Sequence, residues 1–343
     1  MLGQDGRGRR AGSARLLVAL GRAMLRNPIL PILLVALPLF ALLVPFYATL
    51  PNIKNLLLAS SILLLLSLGA AIVMISGNID LSVEGTLAFT TMLGAWLMMP
   101  SPGSGLLLHP FLAIPLSVAA GVGIGCINAL LVERLKVNPF IVTIGMLLAL
   151  KGAAAIPTKA ATIYGLPDAY SWVGLRSVMG VSWVVIIAFT SCVLLSLWLR
   201  HSVAGRHIYA IGGHKDAAVE NGVSALRTVM LCYCLAGGLA GIAGWLNAAR
   251  LDSASASSGD GITFTVFAAV IIGGVALSGG AGSLWGVLGG VILLTSIDNV
   301  LNLIAFNPLY VNFVRGMVIL LAILLIVARQ RLAARVGLQE PAA

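Results

Sequence analysis

Charged residues are scarce in this chain: they make up 9% of its 343 residues, whereas hydrophobic residues make up 59%. A soluble domain has roughly 25% charged residues, so a soluble globule of this composition would expose a largely apolar surface to water. Aromatic residues are few as well, at 6%, and no basic-aromatic surface accompanies the net charge of +10. These shortages exclude a soluble domain, argue against a nucleic-acid partner and favour a polytopic protein of the lipid bilayer.

Catalytic motifs are also missing. The stretch Leu277–Trp285, LSGGAGSLW, opens with the four letters that begin the signature motif of ABC-type ATPases. No glycine is followed directly by lysine, so the phosphate-binding loop GxxxxGK[ST] that such an ATPase needs is absent. No HExxH, GxSxG or paired Cys/His spacing is present either. We therefore expect no catalytic or metal site, and interpret LSGG as a glycine-rich junction between two apolar spans.

Apolar runs of roughly 20 residues, long enough to cross a bilayer, recur along the chain. Basic residues cluster at both termini and in the loop 200–227, as the positive-inside rule predicts for cytoplasmic segments. We therefore predict an all-α integral membrane protein with about ten transmembrane helices, both termini in the cytoplasm, and loops 157–180 and 250–262 outside. The predicted spans are 28–47, 55–76, 81–99, 110–132, 139–156, 181–199, 228–249, 263–278, 284–304 and 312–328.

These spans divide the chain into three parts. Residues 1–27 form a basic cytoplasmic N-terminal segment with the spacing of an amphipathic helix, residues 28–328 are the transmembrane domain, and residues 329–343 are a cytoplasmic tail. Pro139 and Lys151, together with two glycines, interrupt the fifth span. The fifth span could therefore be a broken or re-entrant helix.

The segment SGNIDLSVEG, residues 76–85, places Asp80 and Glu84 between two apolar runs, with glycines on either side. Two interpretations remain open. The helix could be unwound here within the membrane, where irregular backbone is tolerated only if it is buried in protein or lines a cavity. Alternatively, the segment could be a cytoplasmic turn in which Asp80 caps a helix and Glu84 lies in its first turn.

Four segments occur in order along the chain: GNIDLSVEG, VNPFIVTIGML at 137–147, GRHIYAIGGHKDAAVENGV at 205–223, and AAVIIGGVALSGGAGSLWGVLGG at 268–290. Together they resemble the permease subunits of ribose-type bacterial ABC importers, over nearly the whole chain. The resemblance implies a permease of the bacterial inner membrane that works by alternating access and binds no cofactor itself. It also implies three partners: an ABC ATPase that uses ATP and Mg, a periplasmic sugar-binding protein, and a second permease copy or a related permease.

The third segment contains GGHKDAAVENG, which predicts a short helix from about Lys215 to Glu220 and a stop at Gly222. By resemblance this is the cytoplasmic coupling helix, which fits a cleft in the ATPase subunit. The chain departs from the family pattern at His214 and Lys215, where Asn and Glu are usual. The residues that the resemblance assigns to ATPase coupling are Gly212, Gly213, His214, Lys215, Asp216, Ala217, Ala218, Glu220 and Gly222.

Two further departures concern the substrate. Glu84 replaces a residue that is commonly small, and the loop after Arg250 lacks the usual Gly-Tyr-Glu-Leu ending, so the sugar cannot be carried over from the family. Sugars are held by aromatic faces and by amide or carboxylate groups. The candidates for the substrate pathway on that basis are Asn78, Asp80, Ser82, Glu84, Trp96, Asn128, Asn247, Asp298, Asn299 and Asn302.

Other functions remain open at this stage. An ion-coupled secondary transporter could use Asp80, Glu84, Asp298 and Lys151 as coupling groups, although it would not need a coupling helix. Within the ABC permeases, nucleosides and branched-chain amino acids are alternatives to a simple sugar.

Overall fold

A computed structural model of the chain describes residues 29–99 and 106–307 and, beyond them, residues 310, 313, 314, 316, 317, 320 and 324. The N-terminal segment 1–27, most of the predicted tenth span 312–328 and the tail 329–343 lie outside the described residues.

The described chain is almost entirely α-helical, and nine of the predicted spans coincide with helices in it. The helices are α1 (Ile29–Leu43), α2 (Leu50–Ile75), α3 (Val83–Met98), α4 (Pro110–Ala129), α5 (Pro139–Ala155), α6 (Asp168–Leu175), α7 (Trp183–His201), α8 (Val203–Gly213), α9 (Lys215–Glu220), α10 (Ala225–Leu251), α11 (Ile262–Ile272) and α12 (Leu284–Leu303). A π-helical turn, Leu130–Arg134, continues α4. The strands are β1 (Ile163–Tyr164), β2 (Ser177–Val178), β3 (Val181–Ser182) and β4 (Ser253–Ala254).

Within the described residues, five helices are long and apolar enough to cross a membrane: α2, α4 with its π-helical turn, α7, α10 and α12. Helices α1, α5 and α11 are shorter apolar helices of 10–17 residues. Large apolar side chains stand exposed on the outside of the bundle, among them Leu42, Phe111, Leu148 and Leu194 at 84%, 76%, 67% and 60%. Exposed apolar faces of this extent suit lipid rather than water, so the chain is a multi-pass membrane protein.

Helix α2 forms the centre of the bundle. Its sequence is apolar around the whole circumference, a pattern that places a helix inside a protein rather than at its surface. Every residue from Ser60 to Ile75 is buried, and α7, α8, α10, α11 and α12 contact it. At 26 residues and 1.5 Å per residue, α2 is about 39 Å long. The two ends of α2 are used to name the two ends of the molecule. The end at Leu50 is the distal end, and the end at Ile75, near which α9 lies, is the α9 end.

The glycine-rich runs of α4 and α10 face each other. A Cβ atom added to Gly121 would overlap the carbonyl oxygen of Gly237, and one added to Gly125 would overlap the carbonyl of Tyr233. Close backbone contact through small residues is how helices associate in lipid, where the hydrophobic effect between them is weak. Helices α4 and α10 are therefore in direct backbone contact.

At the α9 end, three glycine segments meet at a contact that we call the glycine junction: Gly77, Gly212, Gly279 and Gly280. The amide of Gly280 donates to the carbonyl of Ile75 at 2.9 Å, and a Cβ on Gly212 would overlap that same carbonyl. Gly77, Gly279 and Gly280 have positive φ angles of 79°, 84° and 72°, which glycine adopts without strain. The LSGG stretch is therefore a turn between α11 and α12, as predicted.

At the distal end, the two loops predicted to lie outside contact each other. Strand β1 pairs antiparallel with β4, with Ile163 opposite Ala254. The hydroxyl of Ser171 donates to the carboxylate of Asp252 at 2.8 Å. The loops 157–180 and 250–262 thus form one connected layer over this end of the bundle.

The predicted break in the fifth span is wrong. Helix α5 is continuous from Pro139 to Ala155. Pro139 occupies the first helical position, where the missing amide has no intrahelical partner to lose, and the Asn138 side chain accepts a hydrogen bond from Phe140 N at 2.9 Å. The proline therefore starts the helix rather than interrupting it.

Candidate functional site

Helix α9 begins and ends where the sequence predicts. His214 is its N-cap, and the His214 Nδ1 atom accepts from the amide of Ala217 at 3.3 Å. Gly222 has a φ angle of 85°, the left-handed conformation that ends many helices. Asp216, Val219 and Glu220 are exposed on this helix, whereas Ala218 is buried and Ala217 half-buried. The outward face of α9 is therefore formed by Asp216, Val219 and Glu220, and Val219 is a residue that sequence reasoning missed.

The glycines of the predicted coupling segment have different environments. Gly212 is packed into the glycine junction, so its role is to let α8 approach α2 and the LSGG turn. Gly213 is exposed. Close by, the Tyr209 hydroxyl donates to the carbonyl of Gly282 at 2.8 Å, and burial raises the pKa of the Tyr209 phenol above its ordinary value. Helix α8 is thus held firmly to the turn that precedes α12.

Lys215, the first residue of α9, forms an ion pair with Glu133 in the π-helical turn after α4. The Lys215 Nζ atom lies 2.6 Å from Glu133 Oε2, and the Lys136 Nζ atom lies 2.6 Å from Glu133 Oε1. The Glu133 side chain is 4% exposed, so its carboxylate is buried beneath the two ammonium groups. Sequence reasoning missed this pairing.

The helix break at residues 76–82, which we call the polar break, is confirmed: α2 ends at Ile75 and α3 begins at Val83. Asp80 is 3% exposed, and its Oδ1 atom accepts from both the amide and the hydroxyl of Ser82, at 2.9 and 2.5 Å. Ser82, not Asp80, occupies the N-cap position of α3. The prediction that Asp80 is the N-cap is therefore wrong, whereas Glu84 lies in the first turn of α3, as the same interpretation predicts.

Side chains from α4 and α10 hold the polar break. Asn128 Nδ2 donates to the Ser82 hydroxyl at 2.9 Å, and the Tyr233 hydroxyl donates to the carbonyl of Ile79 at 2.9 Å. The Asn128 Oδ1 atom is buried without a hydrogen-bond partner in the described part of the chain. Asn78 bonds within its own turn, to Ser76 at 3.2 Å. The structure thus brings Asp80, Ser82 and Asn128 together.

Glu84 is the second residue of α3 and belongs to a second ionic group. Its carboxylate is 2.5 Å from Lys151 Nζ of α5 and accepts from the amide of Thr263, at the start of α11, at 3.2 Å. Lys151 also lies 2.8 Å from Asp260. Helix α11 has 11 residues and therefore spans about 16 Å. Since it ends beside the LSGG turn, this ionic group lies about that far from the α9 end, within the thickness of a bilayer.

A cleft of about 460 Å³ opens between α2, the start of α11 and the last turns of α12; we call it the distal cleft. It contains the predicted residues Asp298, Asn299 and Asn302. The sequence does not predict the other polar residues that line it, which are Asn55, Asp260, Thr265 and Thr295. The lining residues are Asn55, Leu56, Ala59, Leu63, Gly259, Asp260, Ile262, Thr265, Thr295, Asp298, Asn299 and Asn302.

Asn299 also joins two helices. It exchanges two side-chain hydrogen bonds with Asn52 in the first turn of α2, at 2.9 and 2.8 Å. The remaining predicted residues lie elsewhere: Trp96 packs in an apolar cluster beneath the distal loops, and Asn247 is buried in α10. Neither lines the distal cleft.

The predicted site residues therefore form three groups along the axis of α2: the segment around α9, the polar break in the interior, and the distal cleft. The ionic group of Glu84, Lys151 and Asp260 lies between the last two, because Asp260 also lines the cleft. Polar groups at both ends and in the interior are what a solute pathway through a membrane protein requires.

Comparison with known proteins shows which family the chain resembles in sequence. Residues 52–323 match the family described as "Branched-chain amino acid transport system / permease component". The chain is 33% identical over 301 residues to the ribose import permease protein of Escherichia coli K12, covering 85% of this chain and 90% of that protein. It is 31% identical over 298 residues to the D-allose transport system permease protein of the same organism, covering 86% and 89%.

A third relative differs in what its name says it imports. The autoinducer 2 import system permease protein of Enterobacter sp. strain 638 is 33% identical over 307 residues, covering 87% of this chain and 86% of that protein. No solved structure matches the chain. The predicted resemblance to sugar-importer permeases is confirmed, and the chain belongs to the branched-chain amino acid transport system / permease component family.

Proposed function

We propose that this chain is the membrane-spanning subunit of an ATP-driven ABC importer that moves a simple sugar across the bacterial inner membrane. The single observation that carries the proposal is α9, a short helix with Asp216, Val219 and Glu220 exposed at one end of an apolar bundle. An exposed apolar residue among charges at such a position suits a protein partner. The names of the relatives support the same function for this chain.

The alternative of an ion-coupled carrier has less support. An ion-coupling carboxylate must exchange its bound ion or proton during transport. The Asp80 carboxylate accepts hydrogen bonds from Ser82, and the Glu84 carboxylate is paired with Lys151. Both groups are engaged by the protein itself, which favours a structural role in this conformation.

The distal cleft favours a neutral, hydroxyl-rich solute. Among the described residues that line it, three carry amide side chains, two are carboxylates and two are threonines, and none is basic or aromatic. Amides and carboxylates hydrogen-bond sugar hydroxyls, whereas the lining offers no basic side chain to pair with the carboxylate of an amino acid. A nucleoside base would find no aromatic face there. This composition supports a sugar over a branched-chain amino acid or a nucleoside.

The complete transporter follows from the same proposal. Two permeases, identical or related, face each other around a central pathway, each with about ten transmembrane helices and cytoplasmic termini. Each α9 contacts an ATPase subunit, which binds ATP and Mg. The layer formed by loops 157–180 and 250–262 receives a periplasmic binding protein. ATP-driven closure of the ATPases then switches the permeases between outward and inward access.

The proposal is tested with the ATPase and the binding protein that it assigns to this chain as partners. A thermal-shift screen of sugars against the binding protein selects the substrate. Proteoliposomes containing the permease and ATPase are then assayed for uptake of that labelled sugar. We expect uptake only with ATP and Mg on the ATPase side and binding protein on the other. Uptake without the ATPase, driven by a proton or sodium gradient, would contradict the proposal.

A further inference from the structure

The Glu133 carboxylate forms a two-sided ionic contact beside α9. Each of its oxygens is matched by one ammonium group at 2.6 Å, Oε1 by Lys136 and Oε2 by Lys215. The Glu133 side chain is 4% exposed, and a buried carboxylate is stable only when it is paired in this way. Glu133 therefore cannot readily exchange these partners for water.

The two lysines are not equivalent. Lys136 is three residues from Glu133 and its side chain is 66% exposed, so this contact stays within one turn. Lys215 comes from α9, 82 residues away along the chain, and its side chain is 44% exposed. Only the Lys215 contact joins two separate elements, α9 and the end of α4.

The end of α4 leads directly to the polar break. Asn128, two residues before the π-helical segment, donates to Ser82 at 2.9 Å, and Ser82 donates to Asp80. The π-helical turn itself lies between Asn128 and Lys136, and such turns are common at functional positions in helices. A continuous chain of contacts thus runs from α9 through Glu133 and α4 to the start of α3.

We propose that Glu133 is a positioning residue that, through Lys215, makes α9 and α4 move as one unit and so transmits the motion of α9 to the polar break. This inference rests on the proposed function. Lys215 stands where the resembling family usually has Glu, and a glutamate there would face Glu133 with like charge.

The experiment uses the full complex of permease, ATPase and binding protein in proteoliposomes, and measures sugar molecules imported per ATP hydrolysed. Lys215→Met should lower this ratio at least about fivefold, the lower end of typical coupling effects. Lys215→Arg, which retains the charge, should restore most of it. The matched control is Lys136→Met, which removes the other partner of the same carboxylate and should leave the ratio close to that of the wild type.

The second part of the experiment exchanges the charges of Glu133 and Lys215. Glu133→Lys combined with Lys215→Glu should recover the ratio relative to Lys215→Glu alone, which places two carboxylates together. An unchanged ratio in Lys215→Met, equal losses in both lysine variants, or no recovery on reversal would overturn the inference. The inference would also be overturned if the ATPase no longer co-purified with the Lys215→Met permease, because Lys215 would then be needed to assemble the complex. Absence of ATP-driven uptake in the wild type would instead contradict the proposed function.

Discussion

The ionic group around Lys151 predicts very unequal costs for removing its members. Lys151→Met leaves the Glu84 carboxylate, whose side chain is 6% exposed, without its cation. Breaking a buried ion pair in this way costs about 3–5 kcal/mol, and we expect about 3 kcal/mol because the Lys151 side chain is 32% exposed. Asp260→Asn removes a partner that is 59% exposed, for which the cost is about 0–1 kcal/mol.

A double variant separates the loss of an attraction from the presence of an unpaired charge. Glu84→Gln combined with Lys151→Met leaves no buried charge, so it should be more stable than Lys151→Met alone, by about 1–2 kcal/mol. The assay is reversible unfolding of the purified permease in mixed micelles with increasing SDS. Equal destabilisation by Lys151→Met and Asp260→Asn, or a double variant no more stable than Lys151→Met, would refute the reasoning.

Three further predictions concern the glycine junction, the Asn52–Asn299 pair and the distal cleft. Gly212→Val should abolish recovery of folded protein, because its side chain overlaps the Ile75 carbonyl; Gly213→Ala, whose Cβ would make an ordinary contact of 3.9 Å with Gly280 Cα, should purify normally, and equal yields would contradict the junction. Asn52→Ala and Asn299→Ala should each cost about 1–3 kcal/mol of unfolding free energy, with the double variant well below the sum; additive losses would argue against their mutual bonds. Asp298→Asn should raise the apparent KM for uptake about tenfold at unchanged basal ATPase activity, and an unchanged KM would remove the cleft from the pathway.

The features that sequence predicted well are encoded locally. Helix α9 is set by a histidine cap before Lys215 and a glycine at position 222 in the left-handed conformation. The helix break depends on the polar residues of positions 76–82 themselves, which no membrane helix could keep in contact with lipid. In both cases the residues that determine the structure are neighbours in the chain, so the local sequence is enough to predict it.

The features that sequence missed are long-range contacts. Glu133 and Lys215 are 82 residues apart, and Asn52 and Asn299 are 247 apart. Each of these residues looks unremarkable in its own segment, since a lone charge or amide near a span end is common in membrane proteins. Their pairing follows from how α4, α9 and the ends of α2 and α12 pack, and a single sequence carries no record of that packing.

The error over the fifth span has a local cause. Proline interrupts a helix from its interior, but it is favourable at the first helical position, where Pro139 lies. Lys151 indicates a further interruption, because a single ammonium within an apolar run is costly in lipid. Its two carboxylate partners, Glu84 and Asp260, lie on other elements, so its tolerance within a continuous helix could not be read from α5 alone.

The central claim is that α9 contacts an ATPase, and site-directed cross-linking measures that contact directly. A single cysteine replaces Val219, which is 47% exposed, in a chain whose four native cysteines have been replaced. A cysteine at Ser257, exposed in the distal loop, is the matched control. We predict that a short bifunctional reagent joins Val219→Cys, but not Ser257→Cys, to the ATPase subunit in membranes, with a yield that changes on adding ATP. No cross-link from position 219, or an equal one from position 257, would contradict the account.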